Sequence, residues 1–157
     1  MTKFLLSLHV LAAIVAIGPV TVAASMFPPA ARRAAPAGGG VPDPSAVGTV
    51  ALLHRICRVY AGVGVTVPVL GLATGAAMGV LGSGWLVTSI ALTAAAAGVL
   101  AAFVLPRQEE LLGELRGEGA VDHRDTVQLA MFTGIFNLLW ATVTVLMIVR
   151  PGSTTGA

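Results

Sequence analysis

Charge is what this chain has least of. Its 157 residues include nine Lys or Arg and seven Asp or Glu, 10% in all. A soluble domain of this size carries about 25%. There is too little charge here to coat a globular surface, so composition points to one domain that sits in a bilayer. Cysteine is almost missing as well. Cys57 stands alone, which excludes an intrachain disulfide and a Cys-based zinc site. The isoelectric point of 9.3 rests on a net charge of only +2 carried by scattered residues, so nucleic-acid binding has no support. No Ser/His/Asp grouping, phosphate-binding glycine loop or paired intramembrane carboxylate is present, and the expectation is a non-enzymatic protein. No Asp, Glu, Lys or Arg falls within a long apolar run, so the chain lacks the buried charges on which most ion-coupled transport depends.

What the chain has in quantity is apolar sequence: 56% hydrophobic residues and a mean hydropathy of +0.91. A helical span needs roughly 20 apolar residues. Four stretches qualify, at about 4–27, 59–81, 85–105 and 126–149. The second is open to an earlier start near Leu52. Each run ends at a proline, a charge or a glycine turn: Pro28-Pro29, Gly82-Ser83-Gly84, Pro106 and Arg150-Pro151. The expected fold is all-α, a four-transmembrane-helix bundle over residues 1–157. Its helices two and three form a tight hairpin about Gly82-Ser83-Gly84.

Residues 28–58 and 106–125 are then the long connections. Within the first, residues 30–50, with Ala-Pro-Ala-Gly-Gly-Gly and Val-Pro-Asp-Pro, read as a flexible loop. The second holds six of the seven acidic residues. Leu111, Leu112 and Leu115 recur there at helical spacing, which fits a short surface helix or a solvated extension of helix three. Asp125 and Gln128 have the spacing of a capping pair for helix four.

Arg32, Arg33, Arg55, Arg58, Arg107, Arg116 and Arg124 lie on the side of these connections, against Lys3 and Arg150 on the other. Basic residues in short loops favour the cytoplasm, which puts both termini outside. The first run reads as a span rather than a cleaved signal peptide, because Arg32-Arg33 follow it instead of preceding it.

Apolar burial does not drive helix association in lipid, whereas close backbone approach does. Gly71, Gly75 and Gly79 recur every four residues in helix two, and Ala94, Gly98 and Ala102 do so in helix three. The expectation is that these faces form the hairpin seam; the same motif supports a dimerisation face. Thr126, Thr133, Asn137, Trp140 and Thr144 form a polar stripe on helix four, with Asn137 near mid-membrane and expected to bond a neighbouring helix. Pro19 and Pro68 free the carbonyls of Val15 and Gly64 and predict kinks, read as packing devices.

Among chemically capable residues, His9, Met78 and Met147 fall at similar depth near the outer face by residue counting. Imidazole with thioethers suits copper(I) or a His/Met-ligated haem b. The competing account is that the Met residues fill gaps and His9 bonds to Thr144, Thr88 or Ser89. His9 and His54 sit near opposite faces, which argues against a haem held between them. His54 and Cys57 share a helical face that His123, Asp122 and Asp125 are able to approach, flanked by Arg55 and Arg58 as a lipid-headgroup zone.

Leu8-His9-Val10, Pro28 with Arg32-Arg33, Thr74-Gly75, Leu105-Pro106-Arg107 and Arg150-Pro151 together resemble a family of small bacterial integral membrane proteins of unknown function. More distantly they are similar to the membrane domain of copper-resistance D proteins. Eight Arg against one Lys, with abundant Ala, Gly and Val, agrees with a GC-rich bacterial genome. The resemblance implies four helices and a role for His9, but no reaction. The leading expectation is an accessory or structural subunit in the bacterial cytoplasmic membrane, packed against a larger complex or a second copy. The alternatives are a haem b or copper binder using His9 and a small-solute transporter.

Overall fold

The computed structural model describes residues 1–36, 40–117 and 121–152, and these are all helix, turn and coil with no strand. The helices are α1 (Thr2–Ala34), α2 (Pro44–Gly64), α3 (Thr66–Met78), α4 (Gly84–Val99), α5 (Leu105–Arg116) and α6 (His123–Val149), with a π-helical turn at Leu100–Val104 joining α4 to α5. Taken end to end they make four rods, Thr2–Ala34, Pro44–Met78, Gly84–Arg116 and His123–Val149, each long and apolar enough to cross a membrane.

The rods overrun the lengths expected from hydropathy. α1 passes through Pro19, Pro28 and Pro29 and continues to Ala34. A proline removes one backbone hydrogen bond but does not forbid the next turn when packing favours it. Here Phe27, Pro28, Ala31 and Ala34 are all buried, and α2 lies along this stretch of the bundle. α2 in turn begins at Pro44, well before the expected 59. The Asp43 carboxylate accepts from the Ser45 amide at 3.1 Å and the Ser45 hydroxyl at 2.7 Å, with proline at the first helical position. That is an N-cap followed by a residue with preset φ. Val-Pro-Asp-Pro is therefore a helix start rather than flexible loop, and residues 37–39 of that expected loop lie outside the described residues.

Pro68 and Pro106, inside the second and third rods, re-route hydrogen bonds without ending them. Pro68 frees the Gly64 carbonyl, and the break between α2 and α3 falls at Val65, whose amide turns back to Gly62 at 3.2 Å. Pro106 lacks the amide that would bond Ala102, and the chain widens into the π turn, closed by the Leu105 amide on the Leu100 carbonyl. α5 is thus a direct continuation of the third rod. Its Leu111, Leu112 and Leu115 are buried while Glu109, Glu110, Gly113 and Arg116 are exposed, so it is the extension of helix three, solvated on one face, rather than a separate surface helix. α6 opens on Asp122, whose side chain accepts from the Arg124 amide at 3.0 Å. Asp125 lies inside the first turn, which corrects the expected cap by one turn.

α1 is the hub of the bundle. It packs on α2 and α3 along one side and on α6 along the other, α4 packs on α6, and α5 closes against α2. Arg32 Nε donates to Thr126 Oγ1 at 2.9 Å and Asn137 Nδ2 to Ser25 Oγ at 3.2 Å, so α1 and α6 run antiparallel. The start of α1 and the end of α6 therefore lie at one end of the bundle, and the end of α1 and the start of α6 at the other, the loop end.

The expected hairpin seam is not formed. α3 and α4 follow one another through the turn at residues 79–83 yet have little contact. Ala94, Gly98 and Ala102 point outward, and a Cβ built on Gly98 meets nothing within 4 Å. Gly71 instead faces His9, Gly75 faces Leu86 and Leu81, and Gly79 is the left-handed cap of α3 at φ 68°. The reason is that α1 fills the position beside α3 that α4 was expected to take. Elsewhere the outer surface is apolar, with Ile14, Val69, Val87 and Leu138 all exposed, as lipid contact requires.

Candidate functional site

His9 is half-buried on α1, against the kinked rod formed by α2 and α3. Its Nδ1 lies 3.0 Å from the Val67 carbonyl oxygen. A carbonyl only accepts, so Nδ1 carries the proton and Nε2 keeps its lone pair. The imidazole has room because residue 71 is glycine: a Cβ there would stand 3.0 Å from His9 Cε1. The bond to Val67 replaces the expected partners Thr144, Thr88 and Ser89. It also places His9 level with Gly71. Met78 is seven residues further along α3, about 10 Å at 1.5 Å per residue. His9 and Met78 are therefore not at one depth, which corrects the constellation expected from counting. Met147 lies at the far end of α6, where its carbonyl accepts from Arg150 Nε at 3.3 Å. Among the described residues no three His, Cys, Asp or Glu side chains come together as a metal-binding group.

A second polar group lies at the loop end, between α2 and α5. His54 Nδ1 is 3.2 Å from Gln108 Oε1, and Gln108 Nε2 donates to Cys57 Sγ at 3.5 Å. Gln108 and Cys57 are fully buried and His54 is 7% exposed. Buried polar groups are costly unless paired, so this chain of contacts ties the two rods together where their leucines also meet. His123, Asp122 and Asp125 are not part of it. His123 and Asp122 are exposed, and Asp125 faces Arg107 at 4.0 Å. Gln108 was legible in the sequence, since it shares the 108, 111, 112, 115 stripe with the buried leucines. Its polarity masked it.

Replacing Gln108 with leucine keeps the volume and strands two buried partners. The expected loss is about 1–2 kcal/mol. Cys57, shielded in the parent protein, should react faster with maleimide as the α2–α5 contact opens. Unchanged melting and unchanged labelling would show that the three groups are independent.

Beyond the apolar run of the third rod, Glu114 Oε2 is buried without a partner. Burial raises its pKa first, Asp125, Glu110 and Asp122 raise it further, and Arg107 opposes them. The folded state therefore binds this proton more tightly than the unfolded chain. Stability contributed by the neutral acid is lost as pH rises above the ordinary value of 4.5. Glu114→Gln should melt higher than the parent at pH 7, by roughly 1–2 °C, and no higher at pH 4. A gain of equal size at both pH values would locate the effect in packing.

On α6, Asn137 Oδ1 and Thr133 Oγ1 are buried and unpaired. Thr126 is buried and hydrogen-bonded, Trp140 is partly buried, and Thr144 faces outward. The stripe is thus continuous only over its first half. Set against known proteins, this arrangement has no counterpart to borrow a function from: no family model, no curated protein and no solved structure matches the chain.

Proposed function

We propose that this chain is a non-enzymatic accessory subunit of the bacterial cytoplasmic membrane. It docks against a transmembrane helix of a larger complex or of a second copy through the Ala94, Gly98 and Ala102 face. The observation that carries this reading is the outward position of that face. Small residues at four-residue spacing allow helix backbones to approach closely, and here Ala94, Gly98 and Ala102 are exposed among the described residues. The basic residues gathered at the loop end support an orientation with the connections in the cytoplasm and both termini outside. Reporter fusions at the carboxyl end should be active outside and silent inside.

A photo-crosslinking residue placed at Gly98 in living cells tests the docking face. It should give a polypeptide adduct, identified by mass spectrometry, that disappears when Ala94 and Ala102 are both changed to leucine. The same probe at Leu138 is the control. Lipid adducts alone at both positions would overturn the reading.

One observation favours a second reading, a haem b or copper binder. His9 is oriented through Nδ1, with Nε2 left as a donor atom for a metal. The resemblance to copper-resistance D proteins expected from the sequence around Leu8-His9-Val10 would agree with this second reading. Gently purified protein without a Soret band and without bound copper would remove it.

A further inference from the structure

The loop end carries a feature that the docking face does not involve. Two adjoining hollows of about 390 and 450 Å³ share His54 and Arg55 as a common wall. Arg58 and Val59 line the first, and Leu52, Leu112 and Arg116 help line the second. Arg55 and Arg58 thus border the first hollow and Arg55 and Arg116 the second, and the two open hollows together form a shallow cleft with three arginines on its rim. Among the described residues the ion pairs are Arg107–Glu110 and Arg107–Asp125, and none of the three cleft arginines takes part. Guanidinium groups match phosphate oxygens in geometry and charge.

His54 belongs to the same wall and is fixed from behind. With Nδ1 committed to Gln108, Nε2 is its remaining polar atom and acts as an acceptor. The cleft is also apolar. Leu52 and Val59 are exposed beside the arginines, and Val63, one turn beyond Val59 toward mid-span, is exposed too. A free phosphate gains nothing from such walls, whereas a lipid chain does.

We infer that this cleft binds an anionic glycerophospholipid with a hydroxyl-bearing headgroup. Arg55, Arg58 and Arg116 hold the phosphodiester, the headgroup hydroxyl donates to His54 Nε2, and an acyl chain follows Val59 and Val63 along α2. The site rests on membrane insertion but not on the docking face, so either fails without the other.

Native mass spectrometry of the full chain, purified from a mixture of phosphatidylcholine and phosphatidylglycerol, tests it. The parent protein should retain one phosphatidylglycerol. The triple variant R55Q/R58Q/R116Q should weaken retention about a hundredfold, at roughly fivefold for each arginine. R33Q, which removes an exposed arginine of α1, should leave it unchanged. Phosphatidylmethanol, with the same charge and no headgroup hydroxyl, should bind about fivefold more weakly. Circular dichroism confirms that each variant is folded. Equal retention by the triple variant, an equal loss in R33Q, or displacement of the lipid by millimolar inorganic phosphate would each overturn the inference.

Discussion

Truncating Phe136 to alanine lowers the stability of the bundle by about 2–3 kcal/mol, while Leu138→Ala, two residues on, leaves it within about 0.5 kcal/mol. Phe136 is 2% exposed and Leu138 is 71% exposed. In water both truncations would forfeit hydrophobic transfer energy. In a bilayer the separated helices already lie in hydrocarbon, so the transfer contribution nearly vanishes and the cavity remains. Removing a phenyl ring vacates roughly 100 Å³, which at about 24 cal/mol per Å³ gives the figure for Phe136. Leu138 exchanges one lipid contact for another. Denaturant titration of both variants in one detergent checks the contrast. Equal losses would mean that α6 is rotated about its axis relative to this structure.

Gly71→Val is the second large effect, at about 1–3 kcal/mol. Its cause is specific. The new Cβ would stand 3.0 Å from His9 Cε1, and its branches would push the imidazole off the Val67 carbonyl. In a His9→Ala background the same change should cost about 1 kcal/mol less, so the double-mutant cycle returns a coupling of about 1 kcal/mol. Additive losses would separate the two residues. If His9 holds a metal or haem, Gly71→Val should also remove the cofactor, which links the stability measurement to the optical one.

Much of the architecture was legible from composition and run length. The four rods, their order and the gathering of arginines at one end follow from hydropathy and position alone. The rod ends are harder to read, because a proline in an apolar run reads as a stop. Pro28 and Pro29 lie inside α1, and Pro106 ends no rod but provokes a π turn. In each case buried neighbours on both sides outweigh one missing hydrogen bond. Asp43-Pro44-Ser45 carried a capping signal, but the glycines and prolines before it concealed it.

The sites were less legible still. Gly71, Gly75 and Gly79 are recognisable as a packing face, yet Gly71 meets the His9 imidazole of α1, Gly75 meets Leu86 of α4, and Gly79 caps α3. Residue spacing says which side chains share a face of one helix. It carries no information about which helix lies opposite, since any apolar face is compatible with lipid.

The amino-acid sequence alone determined the solvent of this protein, its count of rods and the concentration of arginine at one end. These are sums over local composition, and they hold for any packing of the rods. Only the tertiary arrangement decided that α1 is the hub, that Gln108 joins His54 to Cys57, and that the Ala94, Gly98 and Ala102 face is left outward. Those outcomes depend on shape complementarity between distant segments, which neither hydropathy nor periodicity encodes.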